Sequence, residues 1–248
     1  GRVYNPDGTP AVGDPDVKPL FTKALDVLKE LSKYSPTESI EYTWGEIRAA
    51  YQNEYCGMVI YPGLRTMSEI MGTPYGSYGP GYPKLIDATQ MQLMPPLDSK
   101  DWPEKAIPHC FVEGFIIIKG CPFREDAKSF IEWLFKDRKR HIKLEQTVPI
   151  HELPATESLI NDPAFWDNPA YKRRPDLVPL LQGWLRKAGT DSRIGMTRFE
   201  HWPKEDTVTK GALAMLANVL TDAVLSYVFE KKPIDQVIDK CINDLKKV

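Results

Sequence analysis

The chain has 248 residues, of which 42% are hydrophobic and 27% charged, with a formal net charge of −2. That length can bury a proper core in one large domain or two lobes, and the composition is that of an ordinary globular protein rather than a disordered one. The near-neutral balance sets up no field that would gather nucleic acid or an anionic membrane, and no stretch approaches the ~20 apolar residues of a membrane span.

Val3-Tyr4 and Ala11-Val12 flank Asn5-Pro6-Asp7-Gly8, whose proline and glycine suit a tight turn, so the chain is expected to open with a β-hairpin. Asp16 is placed to cap the helix that follows, with Pro19 in its first turn. Val17, Leu20, Phe21, Leu25, Leu28 and Leu31 form its apolar stripe, which is expected to pack on a sheet. Thr43-Trp44-Gly45-Glu46 has the spacing of a capping box, which pins Trp44 at a second helix entrance.

Cys56 to Tyr61 then reads as a strand broken by Pro62-Gly63, and Gly72 to Pro83 as a loop around Tyr75, Tyr78 and Tyr82. That loop lacks the spacing of a phosphate cradle. Met91 to Met94 is a short strand candidate. Phe115 to Ile118 is too short and too β-branched for a helix and ends at Lys119-Gly120-Cys121-Pro122, which predicts a buried strand. Beyond it Ala127, Phe130, Ile131, Leu134 and Phe135 fall on one face of a helix expected to cover the sheet.

The basic run Lys136 to Lys143 reads as a solvated helix face. A shorter helix runs from Leu177 to Lys187, a long one from about Thr207 to Phe229, and a closing helix after Pro233 carries Ile234, Val237, Ile238, Cys241, Ile242 and Leu245 inward. Trp133, Trp166 and Trp184 lie on or beside helix stripes and are expected in the core. Cys56, Cys110, Cys121 and Cys241 form no C-x-x-C pair, so a structural zinc knuckle is not expected.

Catalytic signals are sparse. His109, His141, His151 and His201 show no H-E-x-x-H spacing, and no G-x-S-x-G elbow exists. Aromatics are abundant instead: six tryptophans and eleven tyrosines offer flat faces on which sugar C–H groups stack. Arg198, Phe199, Glu200, His201 and Trp202 crowd one segment without helical period.

Four blocks carry a resemblance. Phe111 to Phe135 runs a strand through Lys119-Gly120 into Glu125-x-Ala127-x-x-Phe130-x-x-Trp133-Leu134. Thr43 to Met58 with Val59 to Leu64, Pro149 to Pro154 with Ser158 and Asp162-Pro163, and the helices of Val208 to Lys247 accompany it. In this order they resemble the extracellular solute-binding proteins, family 1 and sugar-binding type, that serve ABC importers.

The resemblance implies an α/β, two-lobed periplasmic-binding-protein-like fold of type II, here its C-terminal portion without much of the N-terminal lobe. Residues 1–95 and 195–248 would form the C-terminal lobe, and residues 96–194 would contribute to the other. It implies ligand contacts at Leu64, Arg65, Glu113, Gly114, Phe199, His201 and Trp202, converging on a cleft. Leu64 and Glu113 stand where many members carry aromatic residues, so a cleft that stacks less and hydrogen-bonds more is expected.

It further implies a monomer that captures a small solute, a sugar first of all, and presents it to a membrane permease outside the cytoplasm, without catalysis, cofactor, metal or nucleic acid. The first residues lack the basic and apolar regions of a signal peptide. The rivals are a sugar phosphate, polyol or peptide-like solute on the same fold, with Arg65 and Arg198 supplying charge, and a glycan-processing enzyme that pairs Glu113 with Glu200.

Overall fold

The computed structural model describes residues 3–5, 7–60, 63–77, 79–93, 114–190 and 217–248. It overturns the expected α/β architecture: the chain is 58% helix against 1% strand, and among the described residues no sheet forms. Cys56 to Ile60, Met91 to Leu93 and Phe115 to Ile118 are irregular rather than strands. A run of four to six apolar residues becomes a strand only when a neighbouring strand completes its backbone hydrogen bonds, and sequence period cannot guarantee that neighbour. The helices therefore cover one another, not a sheet.

Contacts divide the chain into two compact units, Gly1–Tyr42 with Thr197–Val248, and Thr43–Met196. In the first, the expected hairpin survives as one antiparallel bridge between Tyr4 and Pro10, with Gly8 at φ 85° in the turn. Helix α1 (Lys18–Ser32) follows. Its N-cap is Val17, without a side-chain cap bond, in place of the expected Asp16.

Only Leu25 of the α1 helix is fully buried, while Leu20 and Leu28 remain exposed, because the segment Leu225–Phe229 against which α1 packs covers only part of its stripe. Leu25 joins Val12, Val219, Ala223, Val237 and Cys241 in one core. These last residues come from the two closing helices of the chain, whose apolar periods the sequence shows clearly.

In the second unit the capping box forms as the sequence predicts: the Glu46 carboxylate accepts from Thr43 N at 2.9 Å and from its hydroxyl, starting α2 (Trp44–Gln52). Helices α3 (Gly63–Met71) and α4 (Pro83–Ala88) come next, then α5 (Arg124–Lys136) and α6 (Arg138–Glu145). Three short helices, α7 (Glu157–Ile160), α8 (Pro163–Trp166) and α9 (Pro169–Arg173), lead to α10 (Leu177–Thr190). Asp162 and Asn168 cap α8 and α9 by accepting from backbone N–H groups two residues on, with proline in each first turn.

The core of this unit gathers Met67, Ile150, Phe165, Trp166, Tyr171 and Leu181. Its aromatic centre is edge-to-face, with Trp166 5.0 Å from both Phe165 and Tyr171, and the Trp166 indole N–H donates to Ile160 O at 2.9 Å. Trp166 and the partly buried Trp184 are core, as the stripes predict. Trp133 is not: it is half exposed, stacked on Phe130 with the Arg140 guanidinium over its ring. None of α5 is fully buried, so the helix expected to cover a sheet shows its apolar face instead.

In the first unit α11 (Val219–Val224) continues into a π-helical turn, Leu225–Phe229, and α12 (Ile234–Leu245) closes the chain. The expected helix start near Thr207 lies outside the described residues. Cys241 is buried and free, and Cys56 and Cys121 are also free; Cys110 lies outside the described residues. Among the described residues no helix is long and apolar enough to cross a membrane.

Candidate functional site

Of the residues expected to contact ligand, Leu64, Arg65 and Gly114 fall within the described part of the chain; Glu113, Phe199, His201 and Trp202 lie outside it, as do Arg198 and Glu200. Leu64 and Arg65 occupy the first turn of α3 rather than a strand end. Leu64 packs against the core, so its side chain serves folding. Gly114 is exposed, and a Cβ built on it meets nothing within 4 Å, so no close approach demands glycine there.

Arg65 is engaged within the protein. Its Nε donates to Glu69 Oε1 at 2.7 Å, while Arg48 Nε and Gln52 Nε2 donate to Glu69 Oε2 at 2.9 and 3.0 Å. Burial pushes the Glu69 carboxyl up, but the hydrogen bonds from Arg65 and Gln52 and the charges of both arginines outweigh it and hold the group below its ordinary value. This network locks the end of α2 to α3.

Beside that lock lies a hollow of about 220 Å3, lined by Gln52, Glu54, Gly81, Tyr82, Lys84 and Leu85. One wall is the end of α2, where Glu54 holds φ 62°, a left-handed conformation uncommon for a residue with a side chain. The other wall opens α4 and is tied to α3 through Tyr82 N, which donates to Ile70 O at 2.7 Å. Farther along, Arg173 grips Asp87 with two bonds of 2.7 Å. The buried Arg174 guanidinium donates to the carbonyls of Ile86 and Thr89 and pairs with Asp176.

Gly81, at φ 70°, sits where a Cβ would come within 2.8 Å of the carbonyl oxygens of both Ile70 and Met71, so any side chain would push the wall off α3. Tyr82 was visible in the sequence as one of three loop tyrosines. Gln52, Glu54 and Lys84 carried no signal, because only the packing of α2 and α4 on α3 brings them together.

A second, larger hollow of about 520 Å3 lies between Phe115–Cys121 and the Ala127, Phe130 side of α5. Its walls are almost wholly apolar, and they belong to the same exposed face as Ile116, Ile118 and Phe123. It offers shape and apolar area, with Lys119 the one charged residue along its lining.

The histidines make no catalytic constellation among the described residues. His141 Nε2 lies 2.9 Å from Glu145 Oε1 within α6, where burial raises the Glu145 carboxyl against the opposing pull of His141. Among the described residues no group of three histidine, cysteine or acidic side chains could hold a metal ion. No known protein family, curated protein or solved structure matches this chain.

Proposed function

We propose that the chain belongs to the solute-capturing component of an ABC importer, working outside the cytoplasm without catalysis, and that its solute is a carbohydrate. The observation that carries this reading is the ordered resemblance of four sequence blocks along the chain. The α/β fold that the resemblance also implied is not part of it, since among the described residues no sheet forms.

The helical parts of two of those blocks form, while among the described residues the strands expected at Cys56 to Tyr61 and Phe115 to Ile118 do not. The capping box starts α2 at Thr43, and the turn at Lys119-Gly120, closed by Cys121 N donating to Ile118 O at 3.0 Å, leads into the amphipathic α5. Tyrosine and tryptophan faces suit a sugar ring. A sugar phosphate is favoured less, because Arg65, one of the two cations expected to hold it, is already bridged to Glu69.

Calorimetric titration of the whole chain with neutral sugars, their phosphates and a set of amino acids is the test. Heat from a neutral sugar alone supports the reading. Selective binding of a phosphate or an amino acid replaces the ligand class, and release of product from a glycan panel that Glu113→Gln abolishes replaces the function with an enzyme's.

A further inference from the structure

We propose that the hollow between the end of α2 and the start of α4 is a subsite for a single neutral pyranose ring; this rests on the carbohydrate reading above. A pyranose has an apolar C–H face and a rim of hydroxyls that both donate and accept. The hollow offers a match for each. Tyr82, a residue 36% exposed, supplies an aromatic side chain to the lining.

Glu54 supplies an acceptor and Lys84 a donor, and neither side chain takes a hydrogen bond or ion pair among the described residues. The buried Gln52 also lines the hollow, and its Nε2 donates to Glu69.

Charge and size narrow the ligand further. Glu54 and Lys84 are the two charged residues of the lining and are opposite in sign, so the lining itself carries no excess of charge that would select an anion or a cation. At about 220 Å3 it is smaller than the roughly 300–1,000 Å3 of a drug-sized pocket, room for one ring within it while the rest of any longer chain projects into solvent.

Both walls are set in advance. Glu69 holds Gln52, Ile70 O holds Tyr82 N, and Gly81 lets the second wall approach α3 as closely as its backbone allows. A site whose walls are fixed before binding loses little to ordering them.

The experiment uses the whole chain with methyl α-glucoside, methyl α-galactoside and methyl α-mannoside, followed by calorimetry and by backbone amide shifts. One glycoside is expected to bind and to move the amide signals of Glu54 and Lys84 in the unaltered protein, a readout that needs no variant. Tyr82→Ala is expected to weaken that binding about tenfold, Glu54→Gln to weaken it less, and Tyr82→Phe to preserve it.

A glycoside that binds without moving those amides, or that binds Tyr82→Ala and Glu54→Gln within about twofold of the original affinity, overturns the subsite and leaves the carbohydrate reading standing. If neither these glycosides nor any neutral oligosaccharide binds, the carbohydrate reading fails and the subsite falls with it.

Discussion

The Tyr4 hydroxyl donates to the backbone carbonyl of Leu245 at 2.9 Å, joining the opening turn to the last residue of α12 in a buried contact. Both groups are out of water, so neither has a solvent substitute. Tyr4→Phe removes the donor, leaves the Leu245 carbonyl unsatisfied, and is expected to cost about 1 kcal/mol. Urea titration checks this, and an unchanged midpoint at unchanged slope would show the bond to be dispensable.

The same core makes stability fall in alkali. Burial, with a contribution from Asp244, pushes the Cys241 thiol from its ordinary 9.0 up to about 11. Above pH 9 the unfolded chain therefore loses this proton before the folded one does, and the folded state is progressively disfavoured until the folded thiol also ionises. Urea midpoints should hold level from neutral pH to pH 9 and decline from there towards 11, and Cys241→Ala should make that decline shallower.

Glu69 works at the acid end. Its carboxyl is held below the ordinary 4.5, so its contribution is complete above that pH and is lost as pH falls through the lowered value. Glu69→Ala is expected to cost about 2 kcal/mol at neutral pH, since three donors lose one acceptor, and to flatten the acid side of the stability profile. Equal acid slopes in variant and parent would place the acid sensitivity elsewhere.

Gly76 lies against α3 so closely that a Cβ would stand 1.9 Å from the carbonyl oxygen of Ser68. Backbone cannot yield as a flexible side chain can. Gly76→Ala is therefore expected to cost about 3 kcal/mol or more, whereas Gly45→Ala, with nothing within 4 Å of its Cβ, provides a control without a clash. Thermal melts of the two variants check the contrast.

Ile116 and Ile118 are 92% and 78% exposed beside the exposed Phe123 and Phe130. A face of that kind binds the dye ANS and drives association. Ile116→Lys should reduce both dye fluorescence and light scattering while leaving the melting temperature close to that of the parent, because the side chain has little packing to lose. Unchanged fluorescence would mean that the dye, and the stickiness, belong to another surface.

What could be read from the chain differs by the range of the forces involved. Thr43 and Glu46 lie three positions apart, so their capping box needed only local chemistry, and it is present in the structure. The helices Arg124–Lys136, Leu177–Thr190 and Ile234–Leu245 likewise follow from apolar spacing. The strand expected at Phe115 to Ile118 needed a distant backbone to pair with, and composition alone could not supply one. The candidate site divides the same way: Tyr82 drew notice as an aromatic in a glycine-rich loop, while the commitment of Arg65 to Glu69 depended on helical register and on Arg48 and Gln52 arriving from α2.

By itself, the sequence determined the capping box at Thr43 and the apolar faces of the helices Arg124–Lys136, Leu177–Thr190 and Ile234–Leu245, since these depend on neighbours within about four positions. Only the tertiary structure decided which apolar faces are covered, which charges are already paired, and that Gln52, Glu54 and Tyr82 share one hollow. Those outcomes depend on contacts between residues far apart in the chain, where burial and electrostatics act through space and leave no periodic mark in the order of the amino acids.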